Sequence, residues 1–287
     1  MSRVLVTGAD GQLGSELQAI QNEYPSLKLF FAGKNILDIT DKNSIATFCI
    51  ENRIDAIINC AAYTAVDKAE DQQLLAETVN HKAVDSLAKV SKKLKIKLVH
   101  ISTDYVFNGN ISTPYSENNT TAPINIYGNS KLNGELSLIN VAPEKSIIIR
   151  TSWVYSSFGN NFVKTMLRLS QTKDALSIIF DQVGTPTYAK DLARHILQIL
   201  PKINNKEVEV YHYTNEGVCS WYDFAVSIFE ITQKKIAVSP IATSEYPTKA
   251  TRPRYSVLNK SKIKTDFNIE IRHWREALKE CLTIIES

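Results

Sequence analysis

The sequence has few of the features that mark secreted, membrane or metal-binding proteins. It contains 4 cysteines in 287 residues, none of them in a CxxC pair, and its 5 histidines are scattered. Widely spaced cysteines are typical of reduced, buried thiols and not of disulfides or metal ligands, so we predict no metal site built from cysteine or histidine. No run reaches the roughly 18 apolar residues that a membrane helix requires.

Charge of one sign is also scarce. The formal net charge is +3, and no run of lysine or arginine stands out. This balance gives no argument for a nucleic-acid or membrane partner. Residues 1–8 pass directly into an apolar strand and lack the longer apolar region and cleavage site of a signal peptide. We therefore expect a cytoplasmic protein.

A glycine-rich turn is the first informative feature that is present. An apolar segment at residues 3–7 precedes Gly8, Gly11 and Gly14, and residues 15–22 carry a helical pattern. Glycines at this spacing permit a tight turn, close approach of the backbone to a pyrophosphate and close packing of helix on strand. Phosphate would then lie at the helix N-terminus, where free N–H groups point outward. The pattern predicts a dinucleotide-binding unit.

Strand-like and helical segments then alternate along the chain. Apolar strand patterns lie at residues 27–32, 55–60, 97–101 and 146–151, with helical patterns at 41–51, 72–94 and 127–141. This alternation predicts an α/β protein with a doubly wound parallel sheet, the Rossmann architecture. We assign residues 1–180 to this dinucleotide-binding domain.

The remaining part, residues 181–287, is mixed and contains more turns. The expected strands and helices from residue 160 onward are helix 160–170, strand 175–180, helix 188–200, strand 208–213, helix 220–231 and a last helix from about 274, with an irregular stretch around 240–253. We interpret residues 181–287 as mainly a smaller mixed α/β substrate-binding lobe that is intertwined with the sheet, so the boundary is approximate.

The end of the second strand bears on the choice of cofactor. Folds that prefer NAD place an acidic residue about 20 residues beyond the glycines, where it holds the adenosine ribose. Gly33 and Lys34 stand there instead. Lys34 suits a 2′-phosphate, which favours NADPH and leaves NADH open; a solvated turn lysine is the alternative interpretation.

Three polar residues could form a proton-transfer site. Thr103 follows a strand, and ligands of open α/β sheets bind beyond the carboxyl ends of strands. Tyr127 and Lys131 are four residues apart and fall on one face of a helix. A nearby lysine lowers the pKa of a tyrosine, and it can also reach a cofactor ribose. Such a Tyr-x-x-x-Lys pair also arises by chance, so the glycine turn is needed to support it.

The glycine motif and the pair Tyr127 and Lys131 resemble the extended short-chain dehydrogenase/reductase family over nearly the whole chain. Further segments resemble the branch of dTDP-4-dehydrorhamnose reductases; they lie at residues 62–70, 102–107, 150–155, 159–166, 181–187 and 252–258. The resemblance implies NAD(P)H-dependent reduction of the carbon-4 ketone of dTDP-4-dehydro-L-rhamnose to dTDP-L-rhamnose, a precursor of cell-surface polysaccharide.

The resemblance also assigns roles by position. It makes Tyr127 the proton donor, Lys131 its partner and the cofactor anchor, and Thr103 the residue that tunes the site. The residues expected at the dinucleotide, including the glycines and Lys34 discussed above, are Gly8, Gly11, Gln12, Leu13, Gly14, Lys34, Asp38, Ile39, Ala62, Tyr63, Thr64, Tyr127 and Lys131. Those expected at the sugar nucleotide are Thr103, Asp104, Trp153, Arg252 and Arg254.

Several alternatives stay open. Trp153 could cap a core, and either arginine could form a surface ion pair. Some family members bind Mg²⁺ between subunits through glutamates; Glu16 occupies one such place, but Lys190 stands near the second, so Mg²⁺ is left open and no metal ligand is assigned. A homodimer is compatible with the family.

Two other functions compete with the reductase. Regulatory subunits of methionine adenosyltransferase use a similar fold without catalysis, and the intact set of Thr103, Tyr127 and Lys131 argues against that function. A related sugar-nucleotide reductase with a different stereochemical outcome also stays open, because the sequence does not define the face of hydride delivery.

Overall fold

The structure is a computed structural model that describes residues 1–286. Its strands are β1 (Ser2–Thr7), β2 (Leu27–Ala32), β3 (Ala56–Asn59), β4 (Lys97–Thr103), β5 (Ser146–Thr151), β6 (Val154–Tyr155), β7 (Ala175–Ile179), β8 (Val183–Gly184), β9 (Thr187–Tyr188), β10 (Glu209–His212), β11 (Cys219–Ser220) and β12 (Ala237–Ile241). Its helices are α1 (Gln12–Ile20), α2 (Lys42–Glu51), α3 (Val66–Ala69), α4 (Gln73–Glu77), α5 (Ala83–Leu94), α6 (Ile126–Val141), α7 (Phe162–Leu169), α8 (Ala189–Ile199), α9 (Trp221–Ile231), α10 (Ser261–Phe267) and α11 (Trp274–Glu286).

Six strands of the described chain form one parallel sheet in the order β10-β5-β4-β3-β1-β2. The strand order reverses at β1, because the chain runs outward to β2 and then returns to β3 on the other side. A reversal of this kind opens a crevice at the carboxyl ends of the strands. The predicted doubly wound parallel sheet is confirmed.

Alternate residues of the central strands point to opposite faces of the sheet, and each face has its own core. In β1, Val4 and Val6 pack in the core that α1, α8 and α10 cover. Leu5 points the other way, into the core formed with α2, α5 and α6. Both faces are therefore buried, which explains why these strands are apolar nearly throughout.

The second half of the chain completes the sheet and adds a smaller lobe. Strand β10 pairs with β5, so residues after 180 supply one edge of the main sheet. A separate core around Tyr155, Tyr188 and Phe224 holds α7, α9 and α11 together. Among residues 1–286, no helix has the length and apolar content needed to cross a membrane.

Two predicted elements differ in the structure. The single helix expected at residues 72–94 is α4 and α5 joined through a π-helical turn, Thr78–Lys82. The stretch expected to be irregular around 240–253 begins as a strand, since β12 pairs with β7 through residue 241. Proline usually argues against a strand, but an edge strand tolerates Pro240 because one side of it needs no hydrogen bonds.

Candidate active site

A cleft of about 610 Å³ lies at the carboxyl ends of the central strands. The predicted residues that line it are Gly8, Gly11, Gln12, Leu13, Gly14, Ala62, Thr64, Thr103, Asp104, Tyr127, Lys131 and Trp153. The predicted residues outside its lining are Lys34, Asp38, Ile39, Tyr63, Arg252 and Arg254. The fold thus brings the glycine turn and the three polar residues into one cavity.

The glycine turn connects β1 to α1 with little room for side chains. Gly8 has a φ of +65°, and a Cβ there would lie 2.6 Å from the backbone of Ala61. Helix α1 has Gly11 as its N-cap and no side-chain cap, so its first N–H groups are free of an internal partner. Free N–H groups at a helix N-terminus bind phosphate, and the turn therefore fits a dinucleotide.

Gln12 joins this turn to the second lobe. Its side-chain Nε2 donates to the carbonyl oxygen of Val154 at 3.4 Å, and its Oε1 accepts from Asn161 Nδ2 at 2.9 Å. The first residue of α1 therefore holds one wall of the cleft against the other.

The end of β2 lies against an acid from the glycine turn, Asp10, which the sequence pattern did not place there. A Cβ on Gly33 would collide with the carboxylate of Asp10, so this side chain lies against the place where a ribose-binding acid is expected. Lys34 is exposed nearby. The exposed Asp38 accepts from the backbone and hydroxyl of Thr40, and these bonds lower its pKa.

The side chains of Thr103 and Tyr127 lie close together in the cleft. Thr103 ends β4 and accepts a hydrogen bond from Tyr105 N at 3.2 Å. Tyr127 lies in the first turn of α6, which begins where Asn125 accepts from Gly128 N at 2.8 Å. Burial raises the pKa of Tyr127 to about 12, although the Thr103 hydroxyl favours the phenolate. Tyr127 is therefore protonated at neutral pH.

Lys131 lies one turn beyond Tyr127 and is 1% exposed. Its Nζ donates to the carbonyl oxygen of Ile101 at 2.7 Å and lies 3.5 Å from His100 Nε2. Burial lowers the pKa of Lys131 to about 8, while Glu135 favours its charged form. The prediction that Lys131 lowers the pKa of Tyr127 is wrong for this structure, because the ammonium is turned toward β4 and burial dominates the pKa of Tyr127.

Asp104 places a buried carboxylate in the cleft wall. Thr103 Oγ1 donates to its Oδ1 at 3.0 Å. Its Oδ2 has no hydrogen-bonding partner in the described chain, although Ser256 lies near enough to favour the anion. Burial raises the pKa of Asp104 to about 6. A buried acceptor without a partner is suited to a ligand hydroxyl.

Trp153 adopts a positive φ of 49°, which is unusual for a bulky residue. Its ring stacks on Trp221 with centroids 3.6 Å apart, and a Cβ on Gly184 would come within 2.8 Å of it. Trp221 also lines the cleft, but nothing in the sequence pattern connects the two tryptophans. The side chain of Trp153 both contacts the cleft and packs on the core of the smaller lobe, around Tyr155, Tyr188 and Phe224.

The two arginines differ in their surroundings. Arg252 donates to Asp67 at 2.6 and 3.1 Å and to the carbonyl oxygen of Ala250 at 3.0 Å. The ion-pair interpretation therefore describes Arg252. Arg254 is exposed on the same loop.

Comparison with known proteins gives the family. The sequence model of the RmlD substrate binding domain matches residues 2–287. The chain belongs to this family. Its RmlD relatives include the dTDP-4-dehydrorhamnose reductase of Aggregatibacter actinomycetemcomitans, 42% identical over 97% of this chain and 98% of the relative. Another is the spore coat polysaccharide biosynthesis protein SpsK of Bacillus subtilis (strain 168), 43% identical over 98% of this chain and 97% of the relative.

A solved RmlD relative has the same fold. The dTDP-4-dehydrorhamnose reductase of Bacillus anthracis str. Ames, in complex with NADP, is 39% identical, with a TM-score of 0.94 and full coverage of both chains. The resemblance drawn from the motifs is therefore confirmed.

The surroundings of Glu16 bear on whether this RmlD-family chain could bind Mg²⁺. It is 2% exposed and accepts from the Ser156 hydroxyl at 2.6 Å, and Lys190 stabilises its anion. Residues 1–286 contain no group of three histidine, cysteine, aspartate or glutamate side chains that could hold a metal. Mg²⁺ prefers several oxygen ligands, and within the described chain Glu16 has Lys190 and Glu280 beside it, so no metal ligand is assigned and Mg²⁺ stays open.

Proposed function

We propose that this chain is a dTDP-4-dehydrorhamnose reductase, which reduces the carbon-4 ketone of dTDP-4-dehydro-L-rhamnose to dTDP-L-rhamnose with NADPH. Its product serves the synthesis of cell-surface polysaccharide. The observation that carries the proposal is the convergence of Thr103, Tyr127 and Lys131 on the cleft that contains the glycine turn. The names of the relatives and the NADP-bound relative support the substrate and the cofactor.

The residues of the first lobe would hold the cofactor. The N–H groups at the start of α1 would bind the pyrophosphate, and the loop of Ala62, Tyr63 and Thr64 would contact the dinucleotide. Lys131 donates its remaining N–H to a ribose hydroxyl. Lys34 faces the 2′-phosphate. NADPH, when bound, supplies the hydride that reduces carbon 4.

Tyr127 and Thr103 would act on the ketone oxygen. Thr103 donates a hydrogen bond to this oxygen and so polarises the C=O bond, after its hydroxyl turns away from Asp104. As the new C–H bond forms, the π electrons of the carbonyl move onto oxygen, and Tyr127 gives that oxygen its proton. With a pKa of about 12, Tyr127 keeps its proton until the far more basic alkoxide develops.

The sugar nucleotide would lie between the two lobes. Asp104 Oδ2 accepts from a sugar hydroxyl, and the stacked ring of Trp153 covers the apolar face of the sugar. Arg254 binds the diphosphate, which matches its charge and forked donors. Arg252, held by Asp67, fixes the loop that carries Arg254. We therefore keep residues 181–287 as mainly the substrate-binding lobe.

Oxidation of NADPH in the presence of the 4-keto sugar nucleotide tests the proposal. Tyr127→Phe should lower kcat by about 10²- to 10⁴-fold and leave NADPH binding nearly unchanged, because it removes the proton and keeps the ring. Tyr105→Phe is the matched control, since this ring packs on Tyr127 at 5.5 Å and its hydroxyl has no assigned role. Unchanged turnover in Tyr127→Phe would reject its role as proton donor.

The product distinguishes the remaining functions. An NMR spectrum of the product sugar should show the L-rhamno configuration; another configuration at carbon 4 would indicate a related reductase. Absence of turnover together with binding to a methionine adenosyltransferase would indicate a regulatory subunit, a function that no observation favours.

Location and assembly follow from the resemblance. We infer a cytoplasmic enzyme, which agrees with free thiols at all four cysteines, Cys49, Cys60, Cys219 and Cys281. We also infer a homodimer, for which light scattering should give twice the mass of the chain.

A further inference from the structure

A buried row of hydrogen-bonding side chains runs beneath the cleft to Lys131. Thr7 Oγ1 lies 2.7 Å from Asn59 Oδ1, and Asn59 Nδ2 lies 3.0 Å from His100 Nδ1. His100 Nε2 then lies 3.5 Å from Lys131 Nζ. None of these four side chains is more than 1% exposed. Of the four, Lys131 is the one that also lines the cleft, so it connects the row to the cofactor site.

The parallel register of the sheet creates this row. Thr7 pairs with Asn59 across β1 and β3, and Asn59 pairs with His100 across β3 and β4. Residues paired across adjacent strands share one face of the sheet, so their side chains meet in a line. Helix α6 packs on that line and brings Lys131 to its end.

The row fixes the direction of the lysine donors. A lysine ammonium has three N–H donors and no acceptor. The carbonyl oxygen of Ile101 takes one of them, and His100 Nε2 is placed to take a second. The third is then left for the cleft that Lys131 lines.

His100 can accept this hydrogen bond in only one tautomer. When the proton is on Nδ1, Nε2 has a free lone pair that can accept from the lysine. The Nδ1–H then needs an acceptor of its own. The side-chain oxygen of Asn59 is that acceptor if the amide points its oxygen at His100. As placed in the structure, the Asn59 amide points Nδ2 at His100 Nδ1 and its oxygen at the Thr7 hydroxyl; in that orientation the proton is on Nε2, which suits only an uncharged lysine. A charged Lys131 therefore requires the amide to be turned over, so that Nδ2 donates to Thr7 Oγ1 and the oxygen accepts from Nδ1–H. Burial lowers the pKa of His100 far below its ordinary value, so the imidazole is neutral in both cases.

We propose that His100 is a positioning residue that, oriented by Asn59, holds the ammonium of Lys131 and aims its free donor at the cofactor ribose. The inference rests on the proposed function, because the ribose contact of Lys131 belongs to it. The titratable groups that face Lys131 are His100 from β4 and Glu135 from its own helix. The neutral imidazole of His100 offers Lys131 a lone pair as hydrogen-bond acceptor, and the carboxylate of Glu135 offers it a negative charge.

The test measures NADPH binding as a function of pH, by the fluorescence of the bound cofactor. His100→Leu should weaken NADPH binding about tenfold at pH 7, since hydrogen bonds to charged groups are the stronger ones. It should also move the alkaline loss of binding about one pH unit lower, because the ammonium loses an acceptor. His100→Gln places an amide oxygen near the position of Nε2, and we expect it to restore most of both quantities.

A second variant reverses the sign of the effect. Asn59→Asp offers only acceptors to His100, which fixes the proton on Nδ1 and favours the charged lysine. The alkaline loss of binding should then move to higher pH. This variant keeps the inference testable if His100→Leu folds poorly.

His212→Leu is the matched control. His212 is also buried, but it lies on β10, two strands from β4, and hydrogen-bonds the carbonyl oxygen of Tyr115. It should lower the melting temperature without moving the pH profile of NADPH binding. Equal shifts in His100→Leu and His212→Leu, or none in His100→Leu, would overturn the role of His100. A wild-type chain that fails to bind NADPH or to reduce the 4-keto sugar would instead overturn the proposed function.

Discussion

At the scale of single residues, burial of Asp104 costs stability, and its proposed substrate contact would account for a carboxylate there. Burial raises its pKa from 3.8 to about 6, so the folded chain binds this proton more tightly than the unfolded chain does. Stability therefore falls as the pH rises from about 4 to about 6 and stays lower above that window. A buried carboxylate at this position destabilises the fold, so stability alone does not explain why it is there.

Asp104→Asn should therefore stabilise the chain at pH 7.5 while impairing it as an enzyme. Removing the buried charge should raise the free energy of unfolding by about 1–3 kcal/mol, and kcat/KM should fall because Oδ2 no longer accepts from the substrate. Urea denaturation at pH 7.5 and pH 4 measures the first effect. The gain should nearly vanish at pH 4, where wild-type Asp104 is already neutral. An Asn variant that is less stable at both pH values would contradict the account.

Asp10 is a second carboxylate with a testable effect. Its side chain lies against Gly33, where the adenosine ribose is expected, and its charge would repel a 2′-phosphate. Asp10→Asn should raise the ratio of NADPH affinity to NADH affinity by about 3- to 10-fold. Lys34→Ala should change this ratio in the opposite direction. Titration of both variants with both cofactors gives the ratio, and an unchanged ratio in Asp10→Asn would remove Asp10 from cofactor selection.

The sequence predicts site residues whose partners are near them in the chain, and it misses those whose partners are near only in the folded structure. Tyr127 and Lys131 are visible because four residues along a helix bring them together. Asp10 and Trp221 are not visible, since their partners Gly33 and Trp153 are close only after the sheet and the second lobe have formed. The direction of the Lys131 ammonium was missed for the same reason, because its acceptors belong to β4.

At the scale of secondary structure, the π-helical turn between α4 and α5 fixes the loop after β3 that we propose for the cofactor. Asn80 in this turn is fully buried; its amide accepts from Tyr63 N at 2.8 Å and donates to Tyr63 O and Ser130 Oγ, both at 3.0 Å. The turn thereby connects the loop after β3 to α6. A π-helical turn inserts one extra residue into a helix, and the helical pattern of the sequence continues across it. The sequence therefore predicts a single helix where the structure has α4, the π turn and α5.

Asn80→Ala should loosen that connection. It leaves buried backbone groups of Tyr63 without partners, and we expect a loss of about 2–3 kcal/mol in stability together with a higher KM for NADPH. Thr78→Ala is the control in the same turn, because its hydroxyl bonds only to the Leu74 carbonyl oxygen and should cost less than about 1 kcal/mol. Equal losses of stability in Asn80→Ala and Thr78→Ala would contradict the special role of the Asn80 side chain.

At the scale of the whole molecule, the two lobes are not separable units. Strand β10 comes late in the chain and pairs with β5, and α8 packs on α1 beneath the sheet. Strand alternation predicted the first five strands of this sheet and the strand at 208–213, but not that the last would join the others. Strand patterns report which residues are apolar, whereas pairing between distant segments depends on which edge of the sheet is left open.

In the contact between α1, α8 and α11, charged side chains join the two lobes. Lys190 of α8 donates to Glu280 of α11 at 2.9 Å and stabilises the buried Glu16 of α1, so an ammonium supplies the positive charge at this place. Dialysis against EDTA should therefore leave both turnover and melting temperature unchanged. Lys190→Met should cost about 1–3 kcal/mol because it leaves Glu16 buried without this cation, and adding Glu16→Gln should recover most of that loss. Urea denaturation of the single and double variants measures the coupling. Loss of activity on chelation, regained with Mg²⁺, would show that a metal and not Lys190 balances the charge.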